Sequence, residues 1–407
     1  MYINMEFLFL GKFYPLTLVD TIREDSRGKI GFSNHNFEMS IIHGLGKQSI
    51  NLSILTVPGV YSWPHNNRKL FTRAEHYYEG TAVVKSAGFC NVVGLNKVSM
   101  LVSTLLNLIR LYGQFNGKEI HIITNAPNVF ILTALYLSKK LSSKKIDVTV
   151  IIPDIPSMIT IMHRKNKSLK GWLVDRIDRW SINMLEKSDK HVLLTEAMTD
   201  FFSKPIKYIV MEGLIDVDAY PESRNSSNGK KIILYTGSIH RQFGIMNLVE
   251  AFEMANLPND VELWICGSGD SATVISERTK SNKSIKFLGL VDSERAREIQ
   301  QQALVLVNPR TSDFEFTKYS FPSKTLEYLM TGKPVVMNRL PGIPAEYFDY
   351  VITPQDESIA SLSVTLEKVM KMSDKERENV GKSGRDFVMK YKNAETQMKR
   401  VVEFVCE

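Results

Sequence analysis

The strongest constraint on the fold is an alternation that runs through the chain and restarts once. Short apolar runs rich in β-branched residues alternate with segments of helical periodicity, separated by polar or Gly/Pro turns. In the first half, strands are expected at Glu6–Phe13, Ile50–Pro58, Glu119–Thr124, Asp147–Pro153 and His191–Leu194. Helices are expected near Phe37–Leu45, Leu101–Tyr112, Asn128–Lys140 and Leu169–Leu185. In Leu101–Tyr112 the apolar positions 101, 105, 108, 109 and 112 fall on one helix face. Strands alternating with helices imply an α/β fold with a parallel, doubly wound sheet. The polar stretch Pro221–Gly229 interrupts the pattern and reads as a linker. The alternation then restarts with strands at Lys231–Thr236, Val261–Cys266, Ser284–Leu288, Leu304–Asn308 and Pro334–Asn338. Helices at Ile245–Met254, Ser271–Thr279, Ser293–Gln301 and Ser323–Met330 lie among them. The tail, Asp374–Lys390 and Ala394–Phe404, is helical. Two Rossmann-like domains are therefore expected, 1–218 and 219–390, and 407 residues are enough for two cores.

Composition narrows the class. Hydrophobic residues make up 43% and charged residues 23%, as in soluble globular proteins. Cys90, Cys266 and Cys406 lie far apart without metal spacing, which fits a reducing cytoplasm better than a disulfide framework. No run approaches the ~18 apolar residues of a membrane span, and the apolar N-terminus reads as a first strand rather than a signal peptide. Charge is uneven. Residues 1–210 hold 26 lysines and arginines against 16 acids, and the remainder holds 25 against 28. An acidic partner for the first half follows: anionic lipid, a lipid diphosphate or nucleic acid. Nucleic acid is disfavoured, because no readout module is recognisable. Ordinary surface variation explains the same imbalance equally well.

In an open α/β sheet, ligands bind outside the carboxyl ends of the strands. Two facing domains would make one cleft there. In the second half the opening strand runs into Tyr235-Thr-Gly-Ser-Ile-His-Arg-Gln-Phe-Gly244. Gly237 permits close backbone approach, and Arg241 offers a cationic fork for phosphate. The next strand ends in Gly267-Ser-Gly269-Asp270. Either turn alone is also an ordinary structural connection. The most informative segment is Tyr319-Ser-Phe-Pro-Ser-Lys-Thr-Leu-Glu-Tyr-Leu, followed by Met-Thr-Gly-Lys-Pro-Val-Val336. Pro322 and Ser323 are expected to open a helix whose free N–H groups favour an anion. Lys324 adds a full charge in that turn. Glu327, three residues on, lies on the same face and can accept from vicinal hydroxyls such as a ribose pair. The bland alternative makes Lys324 a solvated charge and Glu327 a partner of the helix dipole.

These motifs, in the order Tyr235-Thr-Gly237, Gly267-Ser-Gly269, Phe287-Leu-Gly289 and Phe321-Pro-Ser-Lys-Thr-Leu-Glu-Tyr-Leu, resemble glycosyltransferase family 4. More narrowly, they resemble the bacterial transferases of capsule, exopolysaccharide and O-antigen synthesis. The resemblance is strong from Lys231 to Val336 and mostly architectural over 1–220. It implies a GT-B fold, two Rossmann-like domains facing across a cleft. It also implies retaining transfer of a sugar without a bound metal or other cofactor, from a nucleotide-sugar donor held by the second domain. UDP is the nucleotide implied by family frequency. By position, Glu327 should bind ribose, and Arg241 and Lys324 should lie near the diphosphate. Gly237 should lie under the phosphates, and Gly289 and Leu290 should border the base. The last helix, about 391–407, should pack back on the first domain. Two departures stand out. The first acid of the family's Glu-x7-Glu motif falls at Tyr319, and the usual Lys-Gly pair of the phosphate turn is Phe243-Gly244.

The first half is then the acceptor side, for a glycan or lipid-diphosphate-linked hydroxyl. Its strand-end candidates are the loop Ser33–Asn36 with His35, Asn125, Asp154 and the pair Thr195-Glu196. Asp154 is expected to orient an attacking hydroxyl, with a loop cap as the equal alternative. The basic, aromatic run His163–Trp180 offers contact with an anionic inner membrane through its leading loop, while its helix reads as core. Asp216-Val-Asp218 resembles a metal motif but enters the linker, and no hydrolase triad is supported. Two rival readings remain: a nucleotide-sugar 2-epimerase on the same fold, and a non-catalytic binding subunit.

Overall fold

The computed structural model describes residues 5–26, 32–76, 83–125, 128–155, 169–220 and 230–407. The chain divides into two compact units, Met1–Leu214 with Ala394–Glu407, and Ile215–Asn393.

The first unit runs β1 (Glu6–Gly11), α1 (Val19–Asp25), α2 (Phe32–Gly46), β2 (Asn51–Thr56), β3 (Leu70–Phe71), β4 (Ala74–His76), β5 (Val84–Ser86), β6 (Phe89–Cys90) and α3 (Asn96–Gln114). It continues with β7 (Glu119–Thr124), α4 (Val129–Leu141), β8 (Lys145–Ile152), α5 (Leu169–Leu185), β9 (Lys190–Leu193) and β10 (Tyr208–Val210). The main sheet has the order β10-β9-β8-β7-β1-β2-β5-β4 and is parallel except for the β4 edge. β1 lies between β2 and β7 and is buried along its whole length. A strand covered on both faces must be apolar throughout, and Phe7-Leu-Phe-Leu10 meets that demand.

The second unit runs β11 (Lys231–Thr236), α6 (Ile245–Met254), β12 (Val261–Cys266), α7 (Ala272–Ser281), β13 (Ile285–Gly289), α8 (Ser293–Gln302), β14 (Val305–Asn308), α9 (Lys324–Met330), β15 (Val335–Met337), α10 (Ile359–Lys371) and α11 (Asp374–Phe387). Its sheet is parallel, in the order β13-β12-β11-β14-β15. Ile233, Leu263 and Val305 of the sheet pack with Leu248 of α6 and Leu366 of α10 in one core.

The last helix, α12 (Ala394–Cys406), belongs to the first unit. Its apolar stripe Met398, Val401, Val402 and Val405 enters the core containing Phe7, Phe9 and Ile41. Gly44 lets α2 come close, since a Cβ there would stand 2.3 Å from the Ala394 carbonyl oxygen. The Gln397 amide donates to the Gly213 carbonyl at 3.0 Å and fixes the register.

Each sheet reverses its strand order once, between β1 and β7 in the first unit and between β11 and β14 in the second. The crevice at such a point is where open α/β sheets take ligands. Several elements differ from the sequence reading. The strands β3 to β6 and β10 have two or three residues each, too few for a period-2 pattern to emerge. α10 follows Ser358, whose hydroxyl accepts from the Ser361 N–H at 3.1 Å. The Ser33–Asn36 segment, expected as a loop, lies inside α2.

Candidate functional site

The carboxyl edge of the second sheet carries three adjoining glycine bends. Gly237 (φ 154°) and Gly267 (φ 147°) hold conformations that side-chained residues avoid. A Cβ on Gly267 would lie 1.7 Å from the Gly237 carbonyl oxygen, so the first two bends touch backbone to backbone. The Gly237 N–H donates to the Cys266 carbonyl at 3.0 Å, and the Gly267 N–H donates to the Gly289 carbonyl at 2.8 Å. The Tyr235 hydroxyl donates to the Ser238 carbonyl at 2.6 Å and props the first bend from below. Burial pushes that phenol up to about 12. Gly289 has φ 69° and open space where a Cβ would stand, and Leu290 beyond it is exposed.

Arg241 begins a short 3-10 turn, Arg241–Phe243, and its side chain is exposed. Its backbone N–H donates to Asp270 at 3.0 Å, and Asp270 lies 3.3 Å from the His240 ring, which ties this turn to the next. Gly244 closes the turn at φ 75°. A Cβ there would meet the Pro309 carbonyl oxygen at 2.1 Å, so the turn is seated on the carboxyl end of β14. That end presents Arg310, which the sequence reading passed over. Its guanidinium lies 4.6 Å from the Phe243 ring centroid and 5.5 Å from that of Phe316. Burial draws it down to about 10, so it stays charged at neutral pH.

α9 faces the same edge. Tyr328, fully buried, accepts from the Thr236 N–H at 2.8 Å and donates to the Thr236 carbonyl at 2.9 Å. Thr236 is the residue before Gly237, so this pair of bonds locks α9 to the first bend. The helix starts at Lys324 rather than at Pro322. Pro322 is buried, and its carbonyl accepts from the Thr325 N–H at 2.8 Å. Ser323 is exposed, and its carbonyl accepts from Leu326 at 3.2 Å. The opening turn therefore consumes part of the donor set expected to be free. Lys324 and Glu327 point together and form an ion pair of 2.7 Å, both half-buried. Tyr319 ends the preceding 3-10 turn and is buried, with the Lys318 ammonium 4.5 Å from its ring centroid.

In the first unit, His35 is not an exposed loop residue. It is buried in α2, stacks on Tyr14 with ring centroids 5.3 Å apart, and accepts from the Tyr14 N–H at 3.3 Å. Burial pushes its imidazole down to about 4. A helix turn further on is Glu38, which sequence reasoning missed and which is fully buried at the β1/β7 reversal. Its Oε2 accepts from the Lys12 and Phe13 N–H groups at 2.7 and 2.9 Å. Its Oε1 accepts from the Asn34 and Asn125 amides at 2.9 and 3.2 Å. Burial pushes its carboxyl up to about 7 in spite of those donors. Asn34 of the expected loop and Asn125 thus come together at Glu38, while His35 turns to Tyr14. Asp154 is exposed beyond β8, and Glu196 accepts from the Tyr208 hydroxyl. Residues 163–168 of the basic run lie outside the described residues, while Trp172 is exposed with Arg176 4.9 Å from its ring centroid. Asp216 accepts from the Asp218 N–H at 3.1 Å, which makes it a cap.

The comparisons agree with this architecture. Sucrose-phosphate synthase from Thermosynechococcus elongatus superposes with a TM-score of 0.66 at 13% identity, covering 98% of each chain. HepE from Anabaena, solved in complex with UDP, gives 0.63 at 11% identity over 99% of this chain and all of the other. The lipopolysaccharide outer core galactosyltransferase WaaB gives 0.59 at 11% identity over 98% and 99%. No curated protein sequence matches the chain. The fold is GT-B, and residues 230–370 match the family of glycosyl transferases group 1.

Proposed function

We propose that the chain is a retaining glycosyltransferase. It moves a hexose-type sugar from a nucleotide-sugar donor, UDP-linked, to a hydroxyl of a glycan or lipid-linked acceptor in cell-surface polysaccharide synthesis. The observation that carries the reading is the convergence at the β11/β14 reversal. The glycine bends and Arg241 share one sheet edge, and the Tyr328–Thr236 bonds tie to it the helix that carries the Lys324–Glu327 pair.

In this reading the diphosphate lies on the Gly237 bend, where backbone replaces side chain. Glu327 accepts from the ribose hydroxyls. Lys324 swings from Glu327 to the diphosphate when donor is present. The base lies by Gly289 and Leu290, and Tyr319 borders the sugar. As the sugar–phosphate bond breaks, the nucleoside diphosphate takes up negative charge, and Arg241 and Lys324 stabilise it. Preorganised charge of this kind is usually a large catalytic term. The chain's own cations, rather than a metal ion, fill that role. The acceptor hydroxyl attacks from the face the leaving group vacates and passes its proton to the departing phosphate. His35 and Asp154 were singled out for the acceptor side. Asp154 keeps that assignment, whereas buried His35 acts only through the Tyr14 loop.

A peripheral contact with an anionic cytoplasmic membrane surface is part of the proposal. No helix among the described residues is long and apolar enough to cross a membrane. α3 nevertheless exposes Val98, Val102, Leu106 and Ile109 along one face, in the unit that carries the positive excess. A transfer assay tests the function. Release of UDP from UDP-hexoses should require an acceptor, and the product should keep the anomeric configuration of the donor. Conversion of the sugar without acceptor would replace the reading with an epimerase.

A further inference from the structure

Arg310 is a charge without a counter-charge. It sits just beyond the carboxyl end of the strand across the reversal from the glycine bends, pressed against the turn that Gly244 closes: a Cβ on Gly244 would lie 3.3 Å from the Arg310 Cα. Among the described residues no carboxylate pairs with it. Its one side-chain hydrogen bond to a described residue is a long one, 3.5 Å, to the Ser320 hydroxyl. Its Nε–H is buried and has no partner among the described residues. Removing a guanidinium from water is unfavourable unless an anion or a full set of acceptors replaces the lost hydration. Cation–π contact with Phe243 and Phe316 returns part of that, but a ring face offers nothing to the in-plane N–H groups. The fork is held against two mutually perpendicular rings and supplied with too few acceptors, the arrangement expected of a group awaiting a bidentate oxyanion.

We propose that Arg310 binds an oxyanion of the nucleotide-sugar donor, either a diphosphate oxygen or a carboxylate on the transferred sugar. This rests on the donor-site reading above and adds to it a cation that the sequence reading did not contain. A sugar carboxylate would make Arg310 a specificity determinant. A phosphate would make it a third contributor to leaving-group stabilisation, beside Arg241 and Lys324.

The test compares wild type with Arg310→Met, which removes the charge and keeps the packing bulk, and Arg310→Lys, which keeps the charge and loses the fork. Each is titrated calorimetrically with UDP, UDP-glucose and UDP-glucuronic acid, and each unliganded protein is melted. The expected result for Arg310→Met is an unliganded Tm equal to or above wild type, with affinity for at least one ligand lowered tenfold or more. Loss with all three ligands assigns the phosphate. Loss with UDP-glucuronic acid alone assigns the sugar carboxylate. Arg310→Lys should fall between, and it carries the test if the methionine variant does not fold. Wild-type affinity in the variants for all three ligands overturns the proposal, and a lowered Tm with that result marks Arg310 as a packing residue. If wild type binds none of the three, the donor-site reading itself fails and takes this inference with it.

Discussion

The two strand-order reversals of this chain are built alike and filled oppositely. At the β1/β7 reversal the protein fills the crevice with its own carboxyl group: Glu38 takes two backbone and two amide donors. At the β11/β14 reversal it supplies cations, and the backbone is pared to glycine. The same topological feature thus serves once as an internal brace and once, in the proposed reading, as a receptor. A parallel sheet produces the crevice in both places, but the side chains that enter it decide whether it remains open.

The largest expected effect breaks the braced reversal. Glu38→Ala strands two N–H groups and two amides in a buried space and should lower stability by about 3–5 kcal/mol, read by urea denaturation. A stability within 1 kcal/mol of wild type, taken as roughly the worth of one ordinary hydrogen bond, would mean that the brace is not real.

Next in size is a pH dependence that Glu38 and His35 hide from each other. Glu38 ionises near 4.5 when unfolded and about 7 when folded, so its contribution is present below 4.5 and lost as pH rises through 7. His35 protonates near 6.5 when unfolded and about 4 when folded, so its contribution is present above 6.5 and lost as pH falls through 4. Between 4.5 and 6.5 the two slopes oppose. Glu38→Gln uncovers the histidine slope, and its stability should fall with acidification by on the order of 3 kcal/mol more than wild type's across that window. Parallel stability curves for the two proteins would contradict the assignment.

A smaller effect belongs to the receptor side. Tyr328→Phe removes the hydroxyl's bonds to Thr236 and should cost about 1–3 kcal/mol. It should also weaken nucleotide binding, since it loosens α9 from the Gly237 bend. A stability loss with unchanged nucleotide affinity would separate the brace from the site. The smallest effect on stability is expected from Lys324→Ala, about 0–0.5 kcal/mol for a half-exposed ion pair one turn apart. Its turnover should nevertheless drop on the order of 10²-fold. Full activity in this variant would remove Lys324 from the mechanism.

How much of this was legible depended on whether the signal was local. Lys231–Thr236, Ile245–Met254 and Val261–Cys266 were read with their observed bounds, because apolar period and glycine punctuation coincide there. The glycine bends and the Lys324–Glu327 face were equally local. Glu38 and Arg310 were not legible, because their meaning comes from partners distant in sequence: Lys12 and Asn125 for one, Phe243 for the other. Tyr328 was hidden for the same reason, its partner lying 92 residues away. His35 was misplaced because a polar Ser-Asn-His-Asn run has loop composition. Its helix is held in place by what it packs on, not by propensity.

Titration of UDP into wild type, Glu327→Gln and Asn125→Ala tests the contrast between open and braced reversal most directly. The account predicts binding to wild type, at least tenfold weaker binding to Glu327→Gln, and wild-type affinity in Asn125→Ala. Loss of binding in Asn125→Ala with wild-type affinity in Glu327→Gln, or no binding to wild type at all, would contradict it.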